Sequence, residues 1–221
     1  DGLQIWGLDH SREAIEASVR NRSAPAFTCV RNPYSRILSS FFDKICGIQR
    51  NGRRYRENLI PGLLHRYRVA VDEDMDQIKS FRRFVLFARD TVRFGKPMDP
   101  DIHWSAMSSH IATFVANGGR FDQIFHSETF DTGMEKVLSD TTTAHDIDLS
   151  DVPRVNDSSG HGPKREHPPE DYFDDLTMHL VQEIYRKDFK LFRYDPHDPS
   201  ALRPQGEVDL DEVHSKLGPD T

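Results

Sequence analysis

With 221 residues, 36% of them hydrophobic and fourteen of them phenylalanine, the chain has enough apolar bulk for one cored domain and is not of disordered type. A net charge of −7, with acids gathered late at Glu170-Asp171 and Asp209-Leu210-Asp211-Glu212, argues against a general polyanion binder. No nucleic-acid partner is therefore expected, while a local basic pocket for one small anion stays open. No apolar run approaches a membrane-spanning helix, and no signal peptide is visible.

Residues 8–20 suit a short helix capped by Asp9 or Ser11. Ala26 to Val30 is a short apolar run bounded by Ser23-Ala24-Pro25 and Asn32-Pro33, which predicts a buried strand. A helix from about Tyr34 to Cys46 follows, with Ile37, Leu38, Phe41, Phe42 and Ile45 on one face. The basic run from Arg50 to Arg68 fits a solvated loop or helix better than a phosphate site.

A second helix is expected over Met75 to Phe94, with Ile78, Phe81, Val85, Ala88 and Val92 inward and Gly95-Lys96-Pro97 ending it. Ile102 to Val115 is helical in part. Phe121 to Phe125 is a strand candidate, and Thr129 caps a helix to Leu138. Ser139 to His167 is a polar loop. From Pro168 the pattern Phe173, Leu176, Leu180, Ile184 predicts another helix, and residues past Tyr194 form an acidic tail that adds little to the core. Two strand-to-helix passages among several helices give an α/β domain with a parallel sheet, divided as a domain over 1–195 and a C-terminal tail over 196–221.

Cys29 and Cys46 are too few for a metal cluster, so no metal is expected; they fit two buried free thiols and a reducing compartment. Asn21-Arg22-Ser23 and Asn156-Asp157-Ser158 match the glycosylation triplet and keep a secretory location open.

The stretch VRNPYSRILSSFFDKI, Val30 to Ile45, carries the chemistry. A strand running into a helix opens its loop at the carboxyl end of the sheet, where α/β folds bind ligands. Arg31 ends the strand, and Ser39 lies eight residues on, in the second turn of the helix. Together with a helix N-terminus they could hold a phosphate monoester. By residue type alone the plainer reading is an arginine that ends a strand and a serine that caps nothing.

The full string resembles the 3′-phosphate segment of sulfotransferases that use 3′-phosphoadenosine-5′-phosphosulfate (PAPS), above all the Golgi carbohydrate sulfotransferases and their bacterial relatives. The resemblance implies that Arg31 and Ser39 hold the nucleotide's 3′-phosphate, with Arg36 serving local structure. The segment Ser80-Phe81 to Phe87, the pair His103-Trp104, the run Phe121 to Glu128, the loop Val155-Asn156-Asp157-Ser158-Ser159 and the stretch Val181 to Tyr194 resemble later family segments in the family's order. Lys164 and Arg165, in the polar loop, would reach the nucleotide when that loop closes. The implied fold is a P-loop-like parallel sheet flanked by helices, incomplete at the N-terminus.

The departures are as plain. No loop of the Pro-Lys-x-Gly-Thr-Thr kind, which in the family cradles the 5′-phosphosulfate, occurs in the sequence, and Met107 stands where the His-Trp segment often continues to glutamine. The chain opens on Asp, and the expectation is of a fragment that lost its N-terminal portion, the alternative being a degenerate relative unable to transfer sulfate.

Sulfuryl transfer needs a base, and histidine suits neutral pH. Of eleven histidines, His10, twenty-one residues before Arg31, resembles the family's base position, equally consistent with a surface histidine. His103 is the rival and is expected to pack beside Trp104; His161 and His167 are expected to be solvated.

The implied function is transfer of a sulfuryl group from PAPS to a hydroxyl, with a carbohydrate as acceptor. The alternatives are a non-catalytic nucleotide- or glycan-binding relative and, with no Walker lysine to support it, a P-loop kinase-like enzyme. The location is cytoplasmic if the chain is bacterial, and the Golgi lumen if it is a truncated eukaryotic enzyme.

Overall fold

The computed structural model describes residues 21, 25–46, 66–70, 75–96, 98–139, 165–201 and 203–218. The helix expected over 8–20, most of the basic run 50–68 and most of the polar loop 139–167 lie outside them.

Two strands set the frame. β1 (Phe27–Val30) pairs with β2 (Gln123–His126) in parallel, Phe27 opposite Gln123 and Val30 opposite His126. Parallel strands cannot be joined by a tight turn, so the chain between them is spent on helices. The strands leave the sheet at the same edge, and residues 31–32 emerge beside residues 127–128.

Helix α1 (Pro33–Ser40) starts immediately after β1 because Asn32 and Pro33 are its cap and first residue. The Asn32 side chain accepts from the Tyr34 and Ser35 N–H groups, and proline at the first helical position gives up no needed donor. The helix runs into a π-helical segment, Phe41–Cys46. Its wider turn accommodates two adjacent aromatics, Phe41 and Phe42, both buried with Ile45. The helix expected over 34–46 is therefore present, with its last six residues unwound by one step.

Helix α2 (Gln77–Phe94) is capped by Asp76 and ends on Gly95, whose φ of 59° is left-handed. α3 (Met107–Ala116) follows, then β2, a 3-10 turn at Ser127–Thr129 and α4 (Phe130–Ser139). Thr129 does not cap as expected; its hydroxyl donates back to the His126 carbonyl at 3.4 Å. A 3-10 turn at Pro169–Tyr172 precedes α5 (Asp175–Leu191), whose cap is Asp174, so the helix expected from Pro168 begins seven residues later. Leu176, placed inward by periodicity, is 66% exposed in the first turn of α5.

The core is aromatic. α2 packs along α5. Phe81 meets Phe41, Tyr172 and Phe173 edge to face, and Tyr34 meets Phe173 and Phe189 at about 5 Å. Trp104 is fully buried against Phe84 and Phe87, and its indole N–H donates to Thr91 at 3.0 Å. Among the described residues no helix is long and apolar enough to cross a membrane.

The C-terminal residues correct one expectation. Leu210–Leu217 form helix α6, which buries Val213 and Leu217 in the core and leaves Asp209 and Asp211 exposed. Arg193 pairs with Glu212 at 2.8 Å, and His214 Nε2 accepts the Phe121 N–H at 3.1 Å. The acidic end is thus the outer face of an amphipathic helix, and it contributes to the core.

α3 has no side-chain cap of its own at Ala106. Buried Asp188 of α5 supplies it, accepting from the Met107 and Ser108 N–H groups at 2.8 and 3.0 Å. Burial pushes the Asp188 carboxyl up from its usual range, against the pull of those hydrogen bonds. Asp188→Ala would leave two buried donors without an acceptor and is expected to cost about 2–4 kcal/mol. The readout is a lower urea midpoint at unchanged m-value.

Candidate anion site at the carboxyl edge of the strands

The site grows from Asn32, which is fully buried. Its backbone N–H donates to Glu128 Oε1 at 2.8 Å, and its amide nitrogen donates to the Ala201 carbonyl at 3.1 Å. Its amide oxygen takes the Tyr34 and Ser35 N–H groups at 2.9 and 3.4 Å. Pro33 has no N–H, and the Arg36 N–H is bound to the Asn32 carbonyl. The first turn of α1 therefore offers no free donor, and the expectation that a helix N-terminus contributes to the anion site is corrected. What remains for an anion is side chains.

Arg31 is the first of these and is exposed. Its Nε donates to Ser35 Oγ at 3.1 Å, which fixes the guanidinium plane. The two terminal nitrogens have no partner among the described residues. Surrounding protein lowers the Arg31 pKa from its ordinary value, and the nearby charges of Arg36 and Arg165 lower it further, while Glu128 and Tyr194 oppose them. A guanidinium whose outer edge is unpaired among the described residues has the chemistry to take a phosphate or sulfate.

Ser39 lies two helical turns beyond Arg31, half-buried, and its hydroxyl has no hydrogen-bond partner among the described residues. Ser35 and Ser39, four residues apart, share one face of α1, and Arg31 precedes the helix. The structure joins Arg31 to Ser35, and Ser39 stands one turn further along the same face. Arg165 is exposed, with its guanidinium 5.4 Å from the centre of the Phe42 ring. His10 and Lys164 lie outside the described residues.

Arg36 has the structural role expected of it. It donates to the carbonyls of Ile102 and Ser105 at 2.6 and 3.1 Å, and Ser40 donates to the His103 carbonyl at 2.6 Å. These bonds fasten the 101–105 turn to α1. His103, expected to pack beside Trp104, does not: its side chain is 38% exposed and its Nδ1 lies 2.5 Å from Asp101 Oδ1. The carboxylate fixes the ring and leaves Nε2 as the available nitrogen. Desolvation pushes Asp101 up, but hydrogen bonds from the His103 ring and backbone outweigh it and hold the carboxyl below its usual range. His167 is exposed, as expected.

Three residues were missed in sequence. Ser35 carries an obvious signal, being four residues from Arg31 on a helix. Glu128 carries none until the parallel register is known. Tyr194 lies in a recognisable aromatic helix end, yet its hydroxyl target, Glu128 Oε2 at 2.7 Å, comes from elsewhere in the chain.

A strand that ends in an arginine with an open fork, beside a parallel partner and under packed helices, is the layout in which α/β proteins place ligand sites. The family model described as "Sulfotransferase family" matches residues 7–195, and the chain belongs to that family. Among curated proteins it is similar to "Carbohydrate sulfotransferase 10" of Xenopus laevis, at 25% identity over 193 residues, 83% of this chain and 51% of the relative. The proteins of that name from Rattus norvegicus (26% over 181 residues, 78% and 47%) and Homo sapiens (25% over 203 residues, 87% and 53%) match comparably. The chain spans about half the length of these relatives. No solved structure matches it.

Cys29 and Cys46 are free and half-buried. Burial first, then the Glu128 charge, pushes the Cys29 thiol up to about 12 against an ordinary value of 9.0. A raised thiol stays protonated in the folded chain until the pH approaches that value. Iodoacetamide at pH 8 is therefore expected to modify Cys29 at least ~100-fold more slowly in the native protein than in urea. Equal rates would mean that the β1 edge opens freely.

Proposed function

We propose that this chain transfers a sulfuryl group from PAPS to a hydroxyl of a carbohydrate. The observation that carries the reading is the open guanidinium of Arg31 at the strand edge, in a chain whose family match runs over 7–195. The names of the similar proteins support a carbohydrate acceptor.

In this reading Arg31 binds the 3′-phosphate through its two terminal nitrogens, and Ser39 donates its hydroxyl to the same group. Lys164 and Arg165 add positive charge. PAPS supplies a sulfuryl group on a phosphate that leaves as the 5′-phosphate of adenosine bisphosphate. The acceptor oxygen forms the new bond to sulfur as the bond to the phosphate oxygen breaks, and His10 takes the hydroxyl proton. The second reading is a relative that binds the nucleotide or a glycan without transferring sulfate.

Calorimetry with 3′,5′-adenosine bisphosphate tests the nucleotide site. Loss of one bidentate arginine–phosphate contact costs about 1.5–3 kcal/mol, so Arg31→Ala is expected to weaken binding ~10- to 100-fold, and Ser39→Ala by ~3- to 10-fold. Affinity unchanged by Arg31→Ala would sink the assignment. A radiolabelled-sulfate assay on His10→Ala decides the base: activity within twofold of the parent would remove His10 from that role. Binding without any transfer in the parent protein would select the second reading.

A further inference from the structure

We infer that Glu128 is the positioning residue of the anion site, and this rests on the nucleotide reading above. Three observations carry it.

The first is register. Val30 stands opposite His126, so the residues two steps past each strand, Asn32 and Glu128, meet although 96 positions separate them in sequence. The second is anchoring. One carboxylate oxygen takes the Asn32 N–H at 2.8 Å and the other takes the Tyr194 hydroxyl at 2.7 Å, so each oxygen is tied to the fold. The third is what Glu128 leaves alone. Its charge is felt at Arg31, yet no ion pair joins the two side chains among the described residues. A glutamate in this position that paired with Arg31 would neutralise the fork and block an anion. Tied back by Asn32 and Tyr194, it instead holds the backbone from which Arg31 projects and leaves the fork open.

Glu128 touches neither the ligand nor the reacting atoms; it acts through Asn32 on the aim of Arg31. The role is geometric, which separates it from a charge effect. Glutamine can keep both bonds, accepting from Asn32 through its oxygen and meeting the tyrosine oxygen through its nitrogen, while losing the negative charge. Alanine loses both bonds.

The test is calorimetric titration of the full chain with 3′,5′-adenosine bisphosphate, with thermal melts to show that each variant folds. Glu128→Ala is expected to weaken binding by at least tenfold. Glu128→Gln is expected to bind within threefold of the parent or more tightly, because a repelling charge near the phosphate has gone. Should Glu128→Ala fail to fold, Tyr194→Phe frees one carboxylate oxygen and is expected to weaken binding ~3- to 10-fold. Affinity unchanged in Glu128→Ala, or in Tyr194→Phe where alanine does not fold, overturns the proposal, and so does a glutamine variant as weak as alanine. Arg31→Ala runs alongside. If it binds like the parent, the nucleotide reading itself fails; if it weakens binding while the Glu128 variants do not, only the positioning role fails.

Discussion

Everything at the carboxyl edge of the strands depends on one buried residue whose backbone and side chain both bond to their surroundings. Asn32 joins β1 to α1, and its hydrogen bonds reach the helix it starts, the end of the other strand and the C-terminal segment at Ala201. A buried amide with both donor and acceptor used is a rigid joint, because moving any neighbour leaves a polar group without a partner in a place water does not reach. Arg31 is adjacent in sequence to that joint, and its freedom is limited to its own side-chain torsions. Ser35 removes part of that by taking Nε. A long, flexible cation is thereby held in place, which on the proposed reading reduces the ordering cost of binding an anion.

The same logic explains why donors are absent where they were expected. Helix N-termini attract anions because their first N–H groups are unsatisfied. Here Asn32, Pro33 and Glu128 account for every one of the first-turn groups, so the positive charge available is that of side chains. The turn at 101–105 is fixed in a similar way, with Arg36 and Ser40 bonding carbonyls and Asp101 bonding a histidine that faces solvent.

Much of this was legible in the sequence. Asn-Pro after an apolar run marks a strand end and a helix start, and the i, i+3, i+4 pattern located α1 and α2 within a few residues, and α5 with its start seven residues too early. The family resemblance rested on Val30 to Ile45, and that stretch is where the open arginine lies. Three things were not legible. Periodicity assigns faces but not neighbours, so it could not show that Glu128 faces Asn32 or that Asp188 caps α3. Charge count suggested a solvated tail, whereas Val213 and Leu217, four residues apart, were enough to bury one face of α6. His103 was expected to pack beside Trp104, yet successive side chains on a turn point in different directions, and Asp101 two residues earlier holds the ring by its Nδ1.

The parallel register has a consequence for how this site comes into being. Its two halves are far apart along the chain, and a piece ending before residue 123 would contain the whole arginine-bearing motif while lacking the carboxylate that steadies it. Contacts of such long sequence separation form slowly, since a large loop must close before they stabilise anything. On the proposed reading the anion site is complete only when the second strand has docked. Capture of an anion would report that the sheet has closed, and ligand would in turn protect the closed sheet by mass action.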